Sequence, residues 1–265
     1  MNEKSQWFEV AHQSKGVILL AHGLNMKPSK MDSLSKFFHS EGYDVYRIAL
    51  SGHRGDLQEM REVTKEKWKT ESLQHYEEAK KLALSKAVPL YFVGFSLGGL
   101  LYQELINTET HIIFERVVLF APAISMHART QLLKAVRIFK PQLMIFSMSP
   151  IEYRANVEGT SVGAYNVLFN AISNLRMQNF KASNIPTLLF IDPKDEVISY
   201  KGIMKIKNQF QLDQWNLVEV TNSSSTLSQS MHHIITDEAA VGTSQWNIIK
   251  DLIRQHFNYF GSPRR

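Results

Sequence analysis

Six short apolar runs, spaced along the chain and separated by longer stretches of helical period, leave few folds open. They are GVILLAH (16–22), YDVYRIAL (43–50), PLYFVGF (89–95), RVVLFAP (116–122), PTLLFID (186–192) and WNLVEVT (215–221). Each reads as a strand, and the lack of in-and-out alternation means that both faces of each strand are covered. Between them the periodicity predicts helices over about 28–41, 64–87, 97–108, 199–211 and 239–257. Strands alternating with helices predict an α/β fold built on a mostly parallel, doubly wound sheet. A chain of 265 residues can bury one such core without dividing into independent domains.

One connection breaks the rhythm. Between VVLFAPA and PTLLFID the chain runs from Ser125 to Lys181, far longer than a usual crossover, with helical patches at ARTQLLKAVRIF and VGAYNVLFNAISNLRM. The expectation is a helical lid, residues 125–181, inserted into a core formed by 1–124 and 182–265. The insertion holds four of the ten methionines, Met126, Met144, Met148 and Met177. Methionine suits an apolar surface that receives flexible hydrocarbon, although its commoner use is to fill irregular core space.

Composition excludes several chemistries. There is no cysteine, hence no disulfide, thiolate metal site or cysteine nucleophile. The opening MNEKSQWFEV has no apolar stretch of the signal-peptide kind, and no run of about 18 apolar residues occurs, so the expectation is a cytoplasmic protein without stable membrane insertion. The net charge of +5 is spread over helical stretches such as TKEKWKTESLQHYEEAKK, where glutamates accompany the lysines. Those are solvated helix faces, and no nucleic-acid partner is expected.

The stretch YFVGFSLGGLLYQ sets Ser96 between Gly94 and Gly98, where a predicted strand passes directly into a predicted helix. Such a turn forces its central residue into a strained conformation and crowds its flanks, so small neighbours are required. The serine hydroxyl then stands exposed, with the amide end of the helix beginning at Leu97 aimed at the same spot. Chance alone would produce about 0.1 G-x-S-x-G matches in a chain of this length, but the strand-to-helix setting is what the chemistry needs.

A serine hydroxyl is a weak nucleophile at neutral pH and needs a base to take its proton and a third group to orient that base. Candidate acids lie in PTLLFIDPKDEVIS, where Asp192, Asp195 and Glu196 follow a buried strand. Candidate bases lie in SMHHIITDE, which presents His232 and His233 before the last helix. Open parallel sheets gather ligands and reactive groups past the carboxyl ends of their strands, where all of these fall.

The order Ser, Asp, His, together with LLAHGLN after an early strand, GFSLGG, PKDEVIS and HHIITDE, resembles the α/β-hydrolase superfamily, nearest its bacterial carboxylesterases and monoacylglycerol lipases. The likeness spans about residues 15–257 and is strong in the core and weak in the lid. It implies Ser96 as nucleophile, Asp195 as orienting acid and His233 as base. It implies an oxyanion hole from the backbone N–H groups of Leu24 and Leu97, with His22, Gly23 and Phe95 at the substrate and His22 shaping the loop without acting as a second base. Met144, Phe146, Met148 and Phe169 would line an apolar acyl pocket. The family's GHG segment corresponds to ALSGHRGD (49–56), where an arginine interrupts the pattern.

The function implied is hydrolysis of carboxylic esters of small or medium acyl chains through an acyl-enzyme on Ser96. The partner is a small-molecule ester, and neither cofactor nor metal is expected, since metal-binding spacings and phosphate loops are absent from the sequence. Two alternatives stand beside it: the same three residues acting on amide or thioester substrates or transferring the acyl group, and a non-catalytic fold that binds a small hydrophobic ligand. Ester, peptide and thioester panels separate the first, and an unreactive Ser96 would mark the second.

Overall fold

In a computed structural model the six apolar runs form six neighbouring strands of one sheet. The structure describes residues 3–128, 140–147, 149–177, 180–221, 225–227 and 231–258. The strands are β1 (Gln6–Phe8), β2 (Val17–Ala21), β3 (Asp44–Arg47), β4 (Leu90–Phe95), β5 (Arg116–Phe120), β6 (Met144–Ile145), β7 (Thr160–Ser161), β8 (Thr187–Ile191) and β9 (Trp215–Glu219). The helices are α1 (Asp32–Ser40), α2 (Leu57–Arg61), α3 (Lys65–Lys86), α4 (Leu97–Thr108), α5 (Val162–Met177), α6 (Tyr200–Gln209), α7 (Glu238–Val241) and α8 (Thr243–Asn258).

The main sheet has the order β1-β3-β2-β4-β5-β8-β9 and is parallel except for β1, which pairs antiparallel with β3. Adjacent residues of β4 show why its run is continuously apolar. Tyr91 stacks on Phe257 of α8 at 4.7 Å, on the face where Phe257 also meets Phe38 of α1. Phe92, pointing the other way, meets Tyr102 of α4 at 4.5 Å and Phe114 at 5.3 Å. Alternate side chains of one strand therefore enter two separate apolar layers. Burying each aromatic ring contributes about 1.5–3 kcal/mol.

The chain leaves β2 toward β3, then returns to place β4 on the other side of β2. That reversal opens a crevice at the carboxyl ends of β2 and β4, where parallel sheets bind ligands. Ala21 and Gly94 are register partners there, so the loops after both strands meet.

Several boundaries differ from the sequence expectation. The segment beginning at Pro28 starts as a 3-10 turn, Pro28–Met31, before α1. The last expected helix is divided by Gly242, whose φ of +80° ends α7 before α8 begins. Within the long connection, α5 coincides with VGAYNVLFNAISNLRM and packs against α4, with Asn174 Nδ2 donating to Glu104 at 2.9 Å. Strands β6 and β7 pair as a short antiparallel ribbon. Residues 129–139, which carry most of the other helical patch, and Met148 lie outside the described residues. Among the described residues no helix is long and apolar enough to cross a membrane.

Candidate active site

Ser96 occupies the turn between β4 and α4 with φ 48° and ψ −111°, a conformation costing an L-residue about 1–3 kcal/mol. Surrounding bonds hold it there. Its N–H donates to the Phe120 carbonyl at 3.0 Å, and its own carbonyl accepts from Ala123 at 3.0 Å and Leu100 at 3.1 Å. The glycines answer close approach. A Cβ on Gly98 would sit 2.7 Å from the Ala21 Cβ and the His22 carbonyl, and one on Gly94 would meet the Phe92 ring at 2.6 Å and the Gly99 amide at 2.9 Å. Any larger residue would push the loop after β2 or α4 away from the serine.

The structure brings Ser96, His233 and Asp195 together. His233 Nε2 lies 3.0 Å from Ser96 Oγ, and His233 Nδ1 lies 2.8 Å from Asp195 Oδ2. An ionised carboxylate can only accept, so Nδ1 carries the proton and Nε2 is left to accept from the serine hydroxyl. Asp195 Oδ1 is held by the amides of Val197 and Ile198, each at 2.7 Å, and the Asp195 side chain is fully buried. These amides fix the direction in which the carboxylate points. The chain of bonds can draw a proton from the serine hydroxyl and stabilise the resulting imidazolium.

The neighbouring candidates are placed differently. His232 Nδ1 pairs with Asp192 Oδ2 at 2.7 Å, forming a second histidine and aspartate couple beside the first. The Glu196 carboxylate accepts the backbone N–H of His232 at 3.1 Å and of His233 at 3.2 Å. It anchors the loop carrying both histidines, a role for which the sequence offered no signal beyond proximity to Asp195.

Across the crevice, Gly98 N–H donates to the His22 carbonyl at 3.0 Å, tying the helix start to the loop after β2. Asn25 N–H donates to His53 Nε2 at 2.9 Å and Met26 N–H to the Gly23 carbonyl at 3.3 Å. The N–H groups of Leu24 and Leu97 have no hydrogen-bond partner among the described residues. Phe95 lies with its ring 5.0 Å from that of His233 and would touch a Cβ on Gly23 at 2.7 Å, which is why that position is glycine.

His22 and His53 are fully buried, with rings 4.4 Å apart. His22 Nε2 accepts from Leu50 N–H at 3.1 Å and its Nδ1–H donates to the Gly23 carbonyl at 2.9 Å. His53 Nδ1–H donates to the Ser51 carbonyl at 3.2 Å. Burial first, then the neighbouring His53, holds His22 well below the ordinary histidine range, and burial pushes His53 down to about 4. Both are therefore neutral at pH 7. The arginine that interrupts the GHG-like pattern also has a place: Arg54 reaches Glu59 at 3.3 Å, Glu71 at 3.2 Å and the Ala49 carbonyl at 3.0 Å, bracing the loop after β3.

Of the expected acyl-pocket residues, Met144 is partly buried against the core and Phe169 is buried on α5, stacked on Tyr165 at 6.3 Å. Phe146 is 69% exposed among the described residues, with the Arg154 guanidinium 4.7 Å above its ring. Among the described residues no three His, Asp or Glu side chains are grouped to hold a metal ion.

A mostly parallel sheet with a serine on this strained turn, in line with a histidine and an aspartate from later loops, defines an α/β-hydrolase. The family described as serine aminopeptidase, S33, matches residues 12–150, more than half of the chain, and the protein belongs to that family. The match includes Ser96 but ends before Asp195 and His233. No curated protein sequence matches. Solved structures with the same fold include that described for the metagenome-derived lipolytic enzymes LipS and LipT, with 19% identity, TM-score 0.73 and 97% of each chain covered. A monoglyceride lipase from Saccharomyces cerevisiae aligns at 15% identity and TM-score 0.77 over 98% of this chain and 92% of that one. A monoacylglycerol lipase from Paleococcus ferrophilus aligns at 17% identity and TM-score 0.68, covering 97% and 100%.

Proposed function

We propose that the protein hydrolyses carboxylic esters of small or medium acyl chains by forming an acyl-enzyme on Ser96. The observation that carries this reading is the unbroken line from Asp195 through His233 to Ser96 Oγ, with spacings of 2.8 and 3.0 Å. In the first step Ser96 Oγ attacks the ester carbonyl as its proton passes to His233 Nε2. Asp195 stabilises the imidazolium without taking the proton. The oxyanion is received by the N–H groups of Leu24 and Leu97, a contribution worth about 3 kcal/mol per donor in comparable sites. His233 then protonates the departing alcohol. Water, deprotonated by the same nitrogen, attacks the acyl-enzyme and releases the acid.

The substrate class rests on the carboxylates. A peptide with a free amino terminus needs an anionic group for its ammonium. The acids around the site are engaged elsewhere: Asp195 on His233, Asp192 on His232, Glu196 on two backbone amides and Asp237 on the Tyr153 hydroxyl at 2.6 Å. That favours a neutral ester. The family's description as an aminopeptidase makes the amide reading its competitor. We take residues 125–181 as the lid over the acyl chain, with Met144 and Phe169 on its apolar side.

The test is covalent labelling. A fluorophosphonate probe should modify Ser96 alone, and Ser96→Ala should abolish both labelling and turnover of p-nitrophenyl esters of graded length. A folded protein that stays unlabelled overturns the proposal. Labelling with turnover confined to amino-terminal peptide amides transfers it to the aminopeptidase reading.

A further inference from the structure

Asn25 lies one residue beyond Leu24, in the loop after β2, and has the left-handed φ of +50° that few L-residues adopt. Every polar group it owns is engaged. Its N–H donates to His53 Nε2 at 2.9 Å, and its carbonyl accepts from Ala155 N–H at 3.0 Å. Its side-chain oxygen accepts from the Asn156 backbone at 2.8 Å, and its Nδ2 donates to the Asn156 carbonyl at 3.1 Å. Asn156 in turn donates through Nδ2 to the Gly52 carbonyl at 2.6 Å, next to His53. Asn25, His53 and Asn156 are all buried.

Three segments far apart in sequence thus close one ring: the loop after β2, the loop after β3 and the long connection between β5 and β8. The contact continues past Asn25, where Met26 bridges Arg154 and Lys27 N–H donates to the Tyr153 carbonyl at 2.8 Å. A left-handed asparagine costs less than most residues, and the turn closed by Met26 N–H on the Gly23 carbonyl puts Asn25 at its third position, where φ > 0 is accommodated. The bonds from His53 and Asn156 hold that turn in place, and φ at Asn25 relates it to the peptide unit joining Leu24 to Asn25. The Leu24 N–H lies one rotatable residue away.

We propose that Asn25, clasped by Asn156 and His53, is a positioning residue that aims the Leu24 N–H at the oxyanion. This rests on the ester-hydrolase reading of Ser96. Half of the clasp comes from the long connection, so the segment 153–156 contributes to catalysis through Asn25. Oxyanion donors act mainly in the transition state, and a displacement of about 1 Å can cost roughly a hundredfold in rate.

The experiment uses the full chain and normalises every rate to the fraction of sites titrated by the fluorophosphonate probe. Asn25→Gly keeps the backbone angle without strain while removing all three side-chain bonds. Asn25→Asp keeps the acceptor but sets a carboxylate oxygen against the Asn156 carbonyl, and Asn156→Ala cuts the link to Gly52 and the 3.4 Å bond from Asn156 Nδ2 to Asn25 Oδ1 while keeping the backbone bonds of residue 156. Asn25→Gly should lower kcat about 10- to 100-fold with KM within roughly threefold, and should weaken an acyl-site boronic acid, a tetrahedral mimic, in the same proportion. Asn156→Ala should fall between this and wild type, and Asn25→Asp, whose carboxylate faces the buried Asn156 carbonyl, should fall at least as far as Asn25→Gly. Wild-type kcat and boronate affinity per titrated site in Asn25→Gly would overturn the proposal, as would losses matched only by fewer titratable sites or a lower Tm. A wild-type chain with no titratable site overturns the hydrolase reading, and this role with it. An active wild type with an unaltered variant overturns this role alone.

Discussion

Two pairs of histidines stand in the loops around the crevice, and their partners differ. His232 and His233, in the loop after β9, each set Nδ1 against an aspartate, at 2.7 and 2.8 Å. His22 and His53, in the loops after β2 and β3, each set Nε2 against a backbone N–H, Leu50 at 3.1 Å and Asn25 at 2.9 Å. An imidazole beside a carboxylate can gain a proton and be stabilised. One that accepts from an amide cannot, because the second N–H would confront the first donor. One pair is set against carboxylates, and the other is held neutral and ties loops together through backbone amides.

The largest effect should come from breaking the charged partner nearest Ser96. Asp195→Asn preserves volume but lets the side-chain amide donate to Nδ1, which turns the ring to the tautomer whose Nε2 carries a proton and cannot receive one from Ser96. In a serine hydrolase of this geometry kcat falls by about 10⁴ for this change. Steady-state hydrolysis of a p-nitrophenyl ester at pH 7–8 measures it. A loss under tenfold would mean that Asp195 does not orient the base.

How much of this arrangement could be read from residues alone depended on whether its signal was local. The six core strands were visible because β4 and its neighbours bury side chains such as Tyr91 and Phe92 on both faces, which writes itself as an uninterrupted apolar run. Strand β1 escaped because three half-exposed residues carry no period, and β6 and β7 because two residues each carry none. Ser96 was legible through its flanking glycines, a steric requirement confined to five positions. Asp192 and Asp195, or His232 and His233, could not be separated on the residues alone, since a shift of a few positions in a loop reverses which side chain points inward. The ring of Asn25, His53 and Asn156 was invisible for a different reason: Asn25 and Asn156 are 131 positions apart, and no periodicity spans such a distance.

The neutral pair yields an intermediate effect, on stability instead of rate. For His53 the folded state releases its proton near pH 4, against 6.5 for the free side chain, because burial opposes the charge. Below pH 6.5 the unfolded chain therefore binds a proton that the folded chain refuses. Stability is intact above pH 6.5 and declines as pH falls, by about 1.4 kcal/mol per unit for each such histidine, until the folded form also protonates. His22, shifted in the same direction, adds to the slope. Urea unfolding at pH 7 and pH 5 should show a loss of about 2 kcal/mol from His53, and His53→Gln should flatten the dependence by close to one proton. An unchanged slope in that variant would mean that His53 is not held neutral by the fold.

The smallest effect separates the two charge-bearing couples from each other. His232 makes the same kind of bond to Asp192 as His233 makes to Asp195, yet its side chain is 32% exposed where that of His233 is 10% exposed. Its nearest described anchors are Asp192 and, through the backbone, Glu196. His232→Ala keeps the backbone N–H that Glu196 accepts, so the loop and His233 retain their support, and kcat should stay within about threefold of wild type. Asp192→Asn should cost a little more in stability, because that side chain is buried and its Oδ1 also accepts from Lys194 N–H at 2.7 Å; losing charge-assisted acceptance there is worth about 1–2 kcal/mol. Rates per titrated site and unfolding midpoints for the two variants measure both. A fall of a hundredfold in His232→Ala with undiminished titration would show that the second couple takes part in proton transfer, and the division between one working dyad and one supporting dyad would not hold.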